Sequence, residues 1–191
     1  DFAQAHLNLG NILKDLGRLE DAEISTRKAI ELNSNDSKSH LNLGKILKDL
    51  GRLEDAETST RKAIALNSNF EEAHSNLGNI LKDLGRLEDA EISIRRAIEL
   101  NPDFAQAHFN LGNILEGLGR LEDAALVNKQ AIDIDFLNNI NIKFKANCLK
   151  NISHSPSQFR QDLFALTELK FKENGFFVEF GSCDGFVGSN S

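Results

Sequence analysis

Apolar positions along the first 138 residues recur with the period of an amphipathic helix. In the first stretch they fall at i, i+3, i+4 and i+7, on one face of a helix; these residues are Leu9, Ile12, Leu13 and Leu16. Gly17 follows, at the point where a helix commonly ends in a left-handed residue. A second helix is predicted next, with a buried side made of Leu19, Ala22, Ala29, Ile30 and Leu32. It ends near Asn33, and Asp36 is placed to cap the following helix.

This pair of helices recurs with a fixed period. Four histidines mark equivalent positions, each 34 residues from the next: His6, His40, His74 and His108. A constant period of this length is typical of a solenoid, because one helical hairpin cannot bury its apolar face alone whereas stacked copies can. The pattern therefore predicts an all-α solenoid of four helix-turn-helix repeats over residues 3–36, 37–70, 71–104 and 105–138.

The repeat resembles the tetratricopeptide repeat family over residues 3–138. The Leu9-Gly10 pair and the later Ala22 and Ala29 have the family's spacing, and Pro102 supplies its terminal proline once. Several positions where the family has an aromatic residue hold other residues here: His6, Leu13, Thr26 and Thr60. The resemblance implies a right-handed solenoid, and these departures imply a core that is less tightly pinned.

The resemblance also implies that the inner face of the first helices forms a groove for protein or peptide partners. One polar position on that face is always asparagine: Asn8, Asn42, Asn76 and Asn110. One turn later the residues are Asn11, Lys45, Asn79 and Asn113. Asparagine both donates and accepts hydrogen bonds, so a row of them is suited to pair with the main chain of an extended peptide. Similar asparagine ladders occur in O-linked N-acetylglucosamine transferases. The alternative is that these residues fix the helix turn or face water.

A column of lysines on the same helices is a second candidate for binding: Lys14, Lys48 and Lys82. Similar repeats use such cations to hold a peptide carboxylate. Each lysine here is followed by an aspartate that offsets its charge, which favours a solvated, charge-balanced face. The column ends at Glu116-Gly117.

The histidines are not expected to bind a metal ion. Packed helices lie about 8–10 Å apart, whereas zinc needs its ligand atoms at about 2.0–2.1 Å. Histidines one repeat apart cannot converge on one ion. They are interpreted as packing residues between helices.

Charge and cysteine content narrow the classes of partner and the location. Residues 1–138 carry 16 basic and 24 acidic residues, a net charge of −8, and residues 139–191 carry 6 and 5, a net charge of +1. Such an acidic array lacks a basic footprint, so we expect no nucleic-acid partner. Neither an apolar stretch of about 18 residues nor a signal pattern is present, so we expect no membrane association. Cys148 and Cys183 lie far apart in dissimilar contexts, which indicates free thiols and a cytoplasmic location.

The repeat decays after Asp135, and residues 139–154 are predicted to be a capping helix or linker. A helix would carry Ile140, Phe144 and Cys148 on one face. The alternation of Ile140, Ile142 and Phe144 also fits a short strand, although we prefer the helix. Another helix is then predicted, which opens with Ser155-Pro156, runs through Leu169 and is ended by Asn174-Gly175.

Residues 155–191 resemble the opening of an FkbM-type, S-adenosylmethionine-dependent methyltransferase domain. A strand over residues 176–180 leads into a glycine-containing turn, Glu179-Phe-Gly181-Ser-Cys-Asp184-Gly185. The resemblance implies that Glu179, Gly181, Asp184 and Gly185 contact the cofactor. An ordinary glycine turn after a strand is the alternative.

The truncated length limits this second resemblance. Only six residues follow Gly185, so we expect no catalytic residue and no bound cofactor in this chain. S-adenosylmethionine would be the cofactor of a longer parent enzyme, whose repeats would recruit or position its substrate. The first repeat starts in mid-unit without a methionine, so we expect the chain to be an internal piece of a longer array.

Overall fold

The computed structural model of the chain describes residues 2–139. These residues form eight α-helices: α1 (Phe2–Asp15), α2 (Leu19–Leu32), α3 (Ser37–Asp49), α4 (Leu53–Leu66), α5 (Glu71–Asp83), α6 (Leu87–Leu100), α7 (Ala105–Gly117) and α8 (Leu121–Asn139). This part of the chain contains no strand. The prediction of an all-α helical-repeat solenoid is confirmed for these residues.

The helices pack as consecutive pairs. The most extensive contacts join α1 to α2, α3 to α4 and α5 to α6. Each second helix also packs on the first helix of the next pair, as α2 does on α3. The first helices of neighbouring pairs, α1, α3, α5 and α7, touch one another in sequence. They therefore form one continuous row along the array.

Each pair turns at a glycine with a left-handed backbone. Gly17 has φ of 74°, its N–H donates to the Lys14 carbonyl at 2.9 Å, and the Arg18 N–H donates to the Leu13 carbonyl at 2.9 Å. These two hydrogen bonds close the end of α1 in a Schellman motif. The same geometry recurs at Gly51, Gly85 and Gly119. The predicted stop at Gly17 is confirmed.

The loop between repeats is fixed by side-chain hydrogen bonds. The Asn33 side-chain oxygen accepts from the Asn35 N–H at 3.3 Å. Asp36 caps α3, since its carboxylate accepts from the N–H groups of Lys38 and Ser39 at 3.3 and 3.0 Å. The predicted cap at Asp36 is therefore confirmed.

The prediction for the buried face of α1 was partly wrong. Leu13 is buried, but Leu9, Ile12 and Leu16 are 44 %, 56 % and 68 % exposed. The residues buried in α1 are Ala3, Leu7, Gly10 and Leu13. The reason is visible one repeat later, where Ile46, the equivalent of Ile12, is buried against Leu13 and Ala22 of the preceding pair. On later first helices the face equivalent to this stripe is covered by the preceding pair of helices. On α1 no described helix covers it, so its side chains are exposed.

Leu32 was also wrongly placed in the core, since its side chain is half exposed. It lies two residues after Ile30, and two residues rotate a helix by about 200°. The buried residues of α2 follow the helical spacing instead: Ala22, Ser25, Thr26 and Ala29.

The predictions for residues 140–191 lie outside the described residues. They include the capping helix or linker over 139–154 (apart from its first residue, Asn139, at the end of α8), the helix after Ser155, the strand over 176–180 and the cofactor contacts.

Candidate functional site

The asparagine row lies on the four first helices, which neighbour one another. Each residue sits near the middle of its helix: Asn8 on α1, Asn42 on α3, Asn76 on α5 and Asn110 on α7. Because successive first helices are in contact, the row runs across the array from one repeat to the next. The four side chains have different environments, which the repeated sequence alone did not reveal.

The two central asparagines are held by the preceding repeat. Asn42 and Asn76 are each only 7 % exposed. The Asn42 Nδ2 donates to the Thr26 Oγ1 at 3.2 Å, and the Asn76 Nδ2 donates to the Thr60 Oγ1 at 3.0 Å. Thr26 and Thr60 are fully buried. The threonines that replace a family aromatic therefore act as hydrogen-bond partners across the repeat junction.

The two outer asparagines pair differently. Asn110 is as buried as the central two, but its Nδ2 donates to the Ser75 Oγ at 3.3 Å and its Oδ1 accepts from Gln106 at 3.1 Å. Asn8 is exposed, and its Oδ1 accepts from Gln4 at 2.8 Å. The row therefore consists of two equivalent central members and two distinct ends.

The second polar position lies at the surface. Lys45 and Asn79 are partly exposed, and Asn11 and Asn113 are exposed. The Lys45 Nζ lies 3.6 Å from a Glu72 carboxylate oxygen of the next repeat. These side chains are accessible to a partner that lies along the row.

The lysine column is charge-balanced by its neighbours. The Nζ atoms of Lys14, Lys48 and Lys82 lie 3.6, 3.8 and 3.8 Å from the carboxylate of the aspartate that follows each. In the last repeat the position holds Glu116, which accepts from the Asn128 Nδ2 at 3.3 Å. This geometry favours the interpretation of a solvated face over that of a carboxylate clamp.

The histidines bind the loops between repeats. The Nε2 atoms of His40, His74 and His108 lie 3.0, 3.0 and 2.9 Å from the carbonyl oxygens of Ser34, Ser68 and Pro102, each six residues earlier. Within residues 2–139 no group of side chains is arranged to hold a metal ion. Each of these three histidines ties the start of a first helix to the preceding loop.

A ladder of ion pairs that was not predicted from the sequence joins the second helices. Glu23, Glu57 and Glu91 each accept two hydrogen bonds, at 2.9–3.1 Å, from an arginine 29 residues later in the next repeat: Arg52, Arg86 and Arg120. Each glutamate also accepts from an arginine four residues later in its own helix: Arg27, Arg61 and Arg95. The 34-residue recurrence of glutamate and arginine was the available signal. In the last repeat the glutamate position holds Ala125, which ends the ladder.

The ion pairs at the last rung of this ladder shift the pKa values of Glu91 and Arg120. Burial alone would raise the pKa of Glu91, but hydrogen bonds from Arg95 and Arg120 outweigh it and hold that pKa below its ordinary value. The pKa of Arg120 is raised, first by its hydrogen bond to Asp123 and then by that to Glu91. Both shifts favour the charged forms, so Glu91 and Arg120 are charged at neutral pH.

A concavity away from the asparagine row lies between α4, α5 and α6. It encloses about 520 Å³ and is lined by residues that include Arg61, Ile64, His74, Leu77, Ile92 and Arg96, and no asparagine of the row lines it. Its arginines already bind acids, Arg61 to Glu57 at 2.8 Å and Arg96 to Glu99 at 2.9 Å. The asparagine row is the stronger candidate because polar groups remain available there.

The fold defines the class of protein, an all-α repeat solenoid. Family models described as tetratricopeptide or TPR repeats match residues 3–36, 26–58, 44–85 and 75–135, which together span residues 3–135. The chain is therefore a tetratricopeptide repeat protein. No curated protein sequence matches it.

Solved structures share the fold. A crystal structure of MamA is 26 % identical with a TM-score of 0.64, and the match covers 70 % of this chain and 78 % of MamA. An O-GlcNAc transferase of Thermobaculum terrenum is 28 % identical with a TM-score of 0.58, covering 60 % of this chain but 22 % of that one. The first TPR of Spaghetti (RPAP3), bound to an HSP90 peptide, is 24 % identical with a TM-score of 0.60, covering 62 % of this chain and 94 % of that one.

The methyltransferase resemblance of residues 155–191 stays a prediction. The matching family models end at residue 135, and the four expected cofactor contacts lie beyond the described residues. Among the helices described, none is long and apolar enough to cross a membrane.

Proposed function

We propose that this chain is a scaffold that binds an extended protein segment along α1, α3, α5 and α7. The observation that carries the proposal is the recurrence of asparagine at one position of four adjacent helices. Neutral amides at regular spacing suit the main chain of a partner, which presents amide groups whatever its side chains are. The second polar position, with Asn11, Lys45, Asn79 and Asn113, widens the same surface.

The charge of this surface supports main-chain recognition. Each lysine of the column Lys14, Lys48 and Lys82 lies close to its own aspartate, so the face has no strong field of one sign. Selection for a charged partner would need unbalanced charge across the contact. The first TPR of Spaghetti (RPAP3), which has a similar fold, was solved bound to an HSP90 peptide. This supports a polypeptide as the class of partner.

Peptide selection and calorimetry test this proposal. A phage-displayed library of random twelve-residue peptides is selected on the intact chain, and a selected peptide is synthesised and titrated. Asn42→Ala and Asn76→Ala should each weaken its binding by about tenfold, the cost of one or two hydrogen bonds. Circular dichroism must show that each variant stays folded, because each also leaves a buried threonine without its partner.

A control substitution lies on the concavity between α4, α5 and α6. Ile92 is largely exposed there, so Ile92→Ser should cost little stability and leave the affinity unchanged. If Ile92→Ser loses binding and the asparagine variants do not, the partner binds the concavity between α4, α5 and α6, and the proposed binding along the asparagine row is wrong. Failure to select any saturable peptide would also contradict the proposal.

A further inference from the structure

The two central asparagines of the row, Asn42 and Asn76, each present a side-chain oxygen to a ligand, which the repeated sequence alone does not reveal. An asparagine side chain has an NH₂ that donates and an oxygen that accepts. In Asn42 and Asn76 one N–H of that NH₂ donates to Thr26 and Thr60, respectively, which fixes the orientation of the amide. Neither oxygen has a hydrogen-bond partner among the described residues, and neither is sealed from solvent, since the single sealed and unpaired side-chain atom there is the His108 Nδ1. Each residue is thus more than nine-tenths buried with its acceptor still available.

We infer that Thr26 and Thr60 are positioning residues that turn Asn42 and Asn76 into fixed hydrogen-bond acceptors for main-chain N–H groups of an extended peptide. This inference rests on the proposed function and narrows it. At the centre of the asparagine row the oxygens of Asn42 and Asn76 are available acceptors, so the ligand group that meets each oxygen must be a donor. Main-chain N–H is the donor that every extended segment offers at regular intervals.

The asparagines at the two ends of the row, Asn8 and Asn110, differ from the central two because their oxygens are already paired. In Asn110 both polar atoms are already paired, with Ser75 and Gln106, and the Asn8 oxygen accepts from Gln4. Only the members held by a threonine combine burial with an available oxygen. Ile94 replaces that threonine in the third repeat, and the Asn110 it would have held is the one bound elsewhere. The inferred acceptors therefore lie at the junctions of repeats 1 with 2 and 2 with 3.

The third repeat also supplies the variant with which to test this. Ile94 is fully buried and borders Gly78 as Thr60 borders Gly44, so a branched aliphatic side chain fits that position. Thr60→Val should therefore pack well while losing the hydroxyl that orients Asn76. Thr60→Ser keeps the hydroxyl, and Ile94→Val changes the same position of a repeat that lacks the hydrogen bond.

The experiment uses the library-selected peptide and two sets of analogues, titrated into the intact chain. In one set a single main-chain amide becomes an ester, which removes the N–H donor. In the other it becomes a thioamide, which keeps the donor and weakens the acceptor. At one or two positions the ester should weaken binding by about tenfold, while the thioamide at the same position should not.

Protein variants then test the role of the threonine. Thr60→Val should weaken the parent peptide by about tenfold, Thr60→Ser should restore most of that loss, and Ile94→Val should have no effect. In Thr60→Val the ester at the position that faces Asn76 should cost less than about twofold, because that acceptor is no longer fixed, and Thr26→Val should do the same for the position that faces Asn42. A merely structural role for Thr60 would leave that ester effect unchanged.

The outcomes separate this inference from the function on which it rests. If a peptide binds the row but every ester is neutral, or if the thioamides are the damaging analogues, the acceptor assignment is wrong while peptide binding stands. If Thr60→Val binds the peptide as wild type does, the positioning role is wrong. If no peptide is selected, both proposals fail.

Discussion

Gly44 lies where α3 approaches α4 so closely that a side chain has no room. A Cβ there would meet the buried Thr60 hydroxyl, with the Ala56 carbonyl oxygen at 3.3 Å. Glycine to alanine within a helix normally stabilises a protein by about 0.5–1 kcal/mol. Here we expect Gly44→Ala to destabilise it by about 1–3 kcal/mol, because overpacking must move the Thr60 side chain or the α4 backbone. Urea unfolding followed by circular dichroism measures the change.

Gly51 provides the control for that substitution. Its φ is 75° and a Cβ there would meet open space among the described residues, so its penalty is conformational and not steric. Gly51→Ala should cost about 1–2 kcal/mol. A second substitution, Thr60→Ala, should recover stability in Gly44→Ala and lower it in Gly51→Ala. A stabilising Gly44→Ala would show that α3 and α4 are less closely packed than described.

Sequence reasoning succeeded at the residues whose role is local. The left-handed turn at Gly17 and the cap at Asp36 depend on neighbours within a few positions, so spacing alone predicted them. The partner of Asn42 is 16 residues away in another helix, and only packing brings the two together. The pattern therefore found the asparagine row but not the atoms that it leaves available.

At the scale of the helices, the arginine–glutamate ladder joins consecutive second helices. Glu91 on α6 is mostly buried and binds Arg95 of its own helix and Arg120 at the start of α8. Its pKa lies below the ordinary value of 4.5, so the interaction stabilises the fold above that pH and is lost as pH falls through the lowered pKa.

Glu91→Gln should therefore destabilise the chain in a pH-dependent way. Near pH 7 we expect a loss of about 1 kcal/mol, the upper range for a single ion pair, because here one carboxylate serves two arginines. As the pH falls through the lowered pKa of Glu91, the wild type loses the same charge, so the two unfolding curves should converge. Thermal melts at neutral pH and at acid pH measure this.

An exposed pair on the same helix is the control. Glu99 binds Arg96 near the surface, so Glu99→Gln should change stability much less at either pH. If both glutamine variants lose the same stability, or if the loss in Glu91→Gln persists in acid, the charge of Glu91 is not what stabilises the fold. This ladder was not predicted from the sequence, because the 29-residue pairing of glutamate and arginine becomes a contact only once repeats stack.

For the whole array, stability should come from the junctions between repeats. Ile12, Ile46, Ile80 and Ile114 hold one position of the repeat, and the last three are fully buried while Ile12 is exposed. The period predicted a buried stripe on α1 as well, which is wrong for Ile12, because this position is buried only where a preceding repeat covers it. The burial of a solenoid residue is thus a property of its neighbours as much as of its own sequence.

Substituting alanine at this position, one repeat at a time, measures how much each junction between repeats contributes to stability. Ile46→Ala should cost about 2–5 kcal/mol, as burial predicts, and Ile12→Ala, on the uncovered face, much less than 1 kcal/mol on the same scale. Because each repeat contacts only its neighbours, Ile46→Ala should lower amide protection mainly in α1 to α4, and Ile114→Ala mainly in α5 to α8. Hydrogen exchange measured helix by helix distinguishes the two patterns. A uniform loss of protection in either variant would mean that the four repeats unfold as one unit, and that no junction can open without the others.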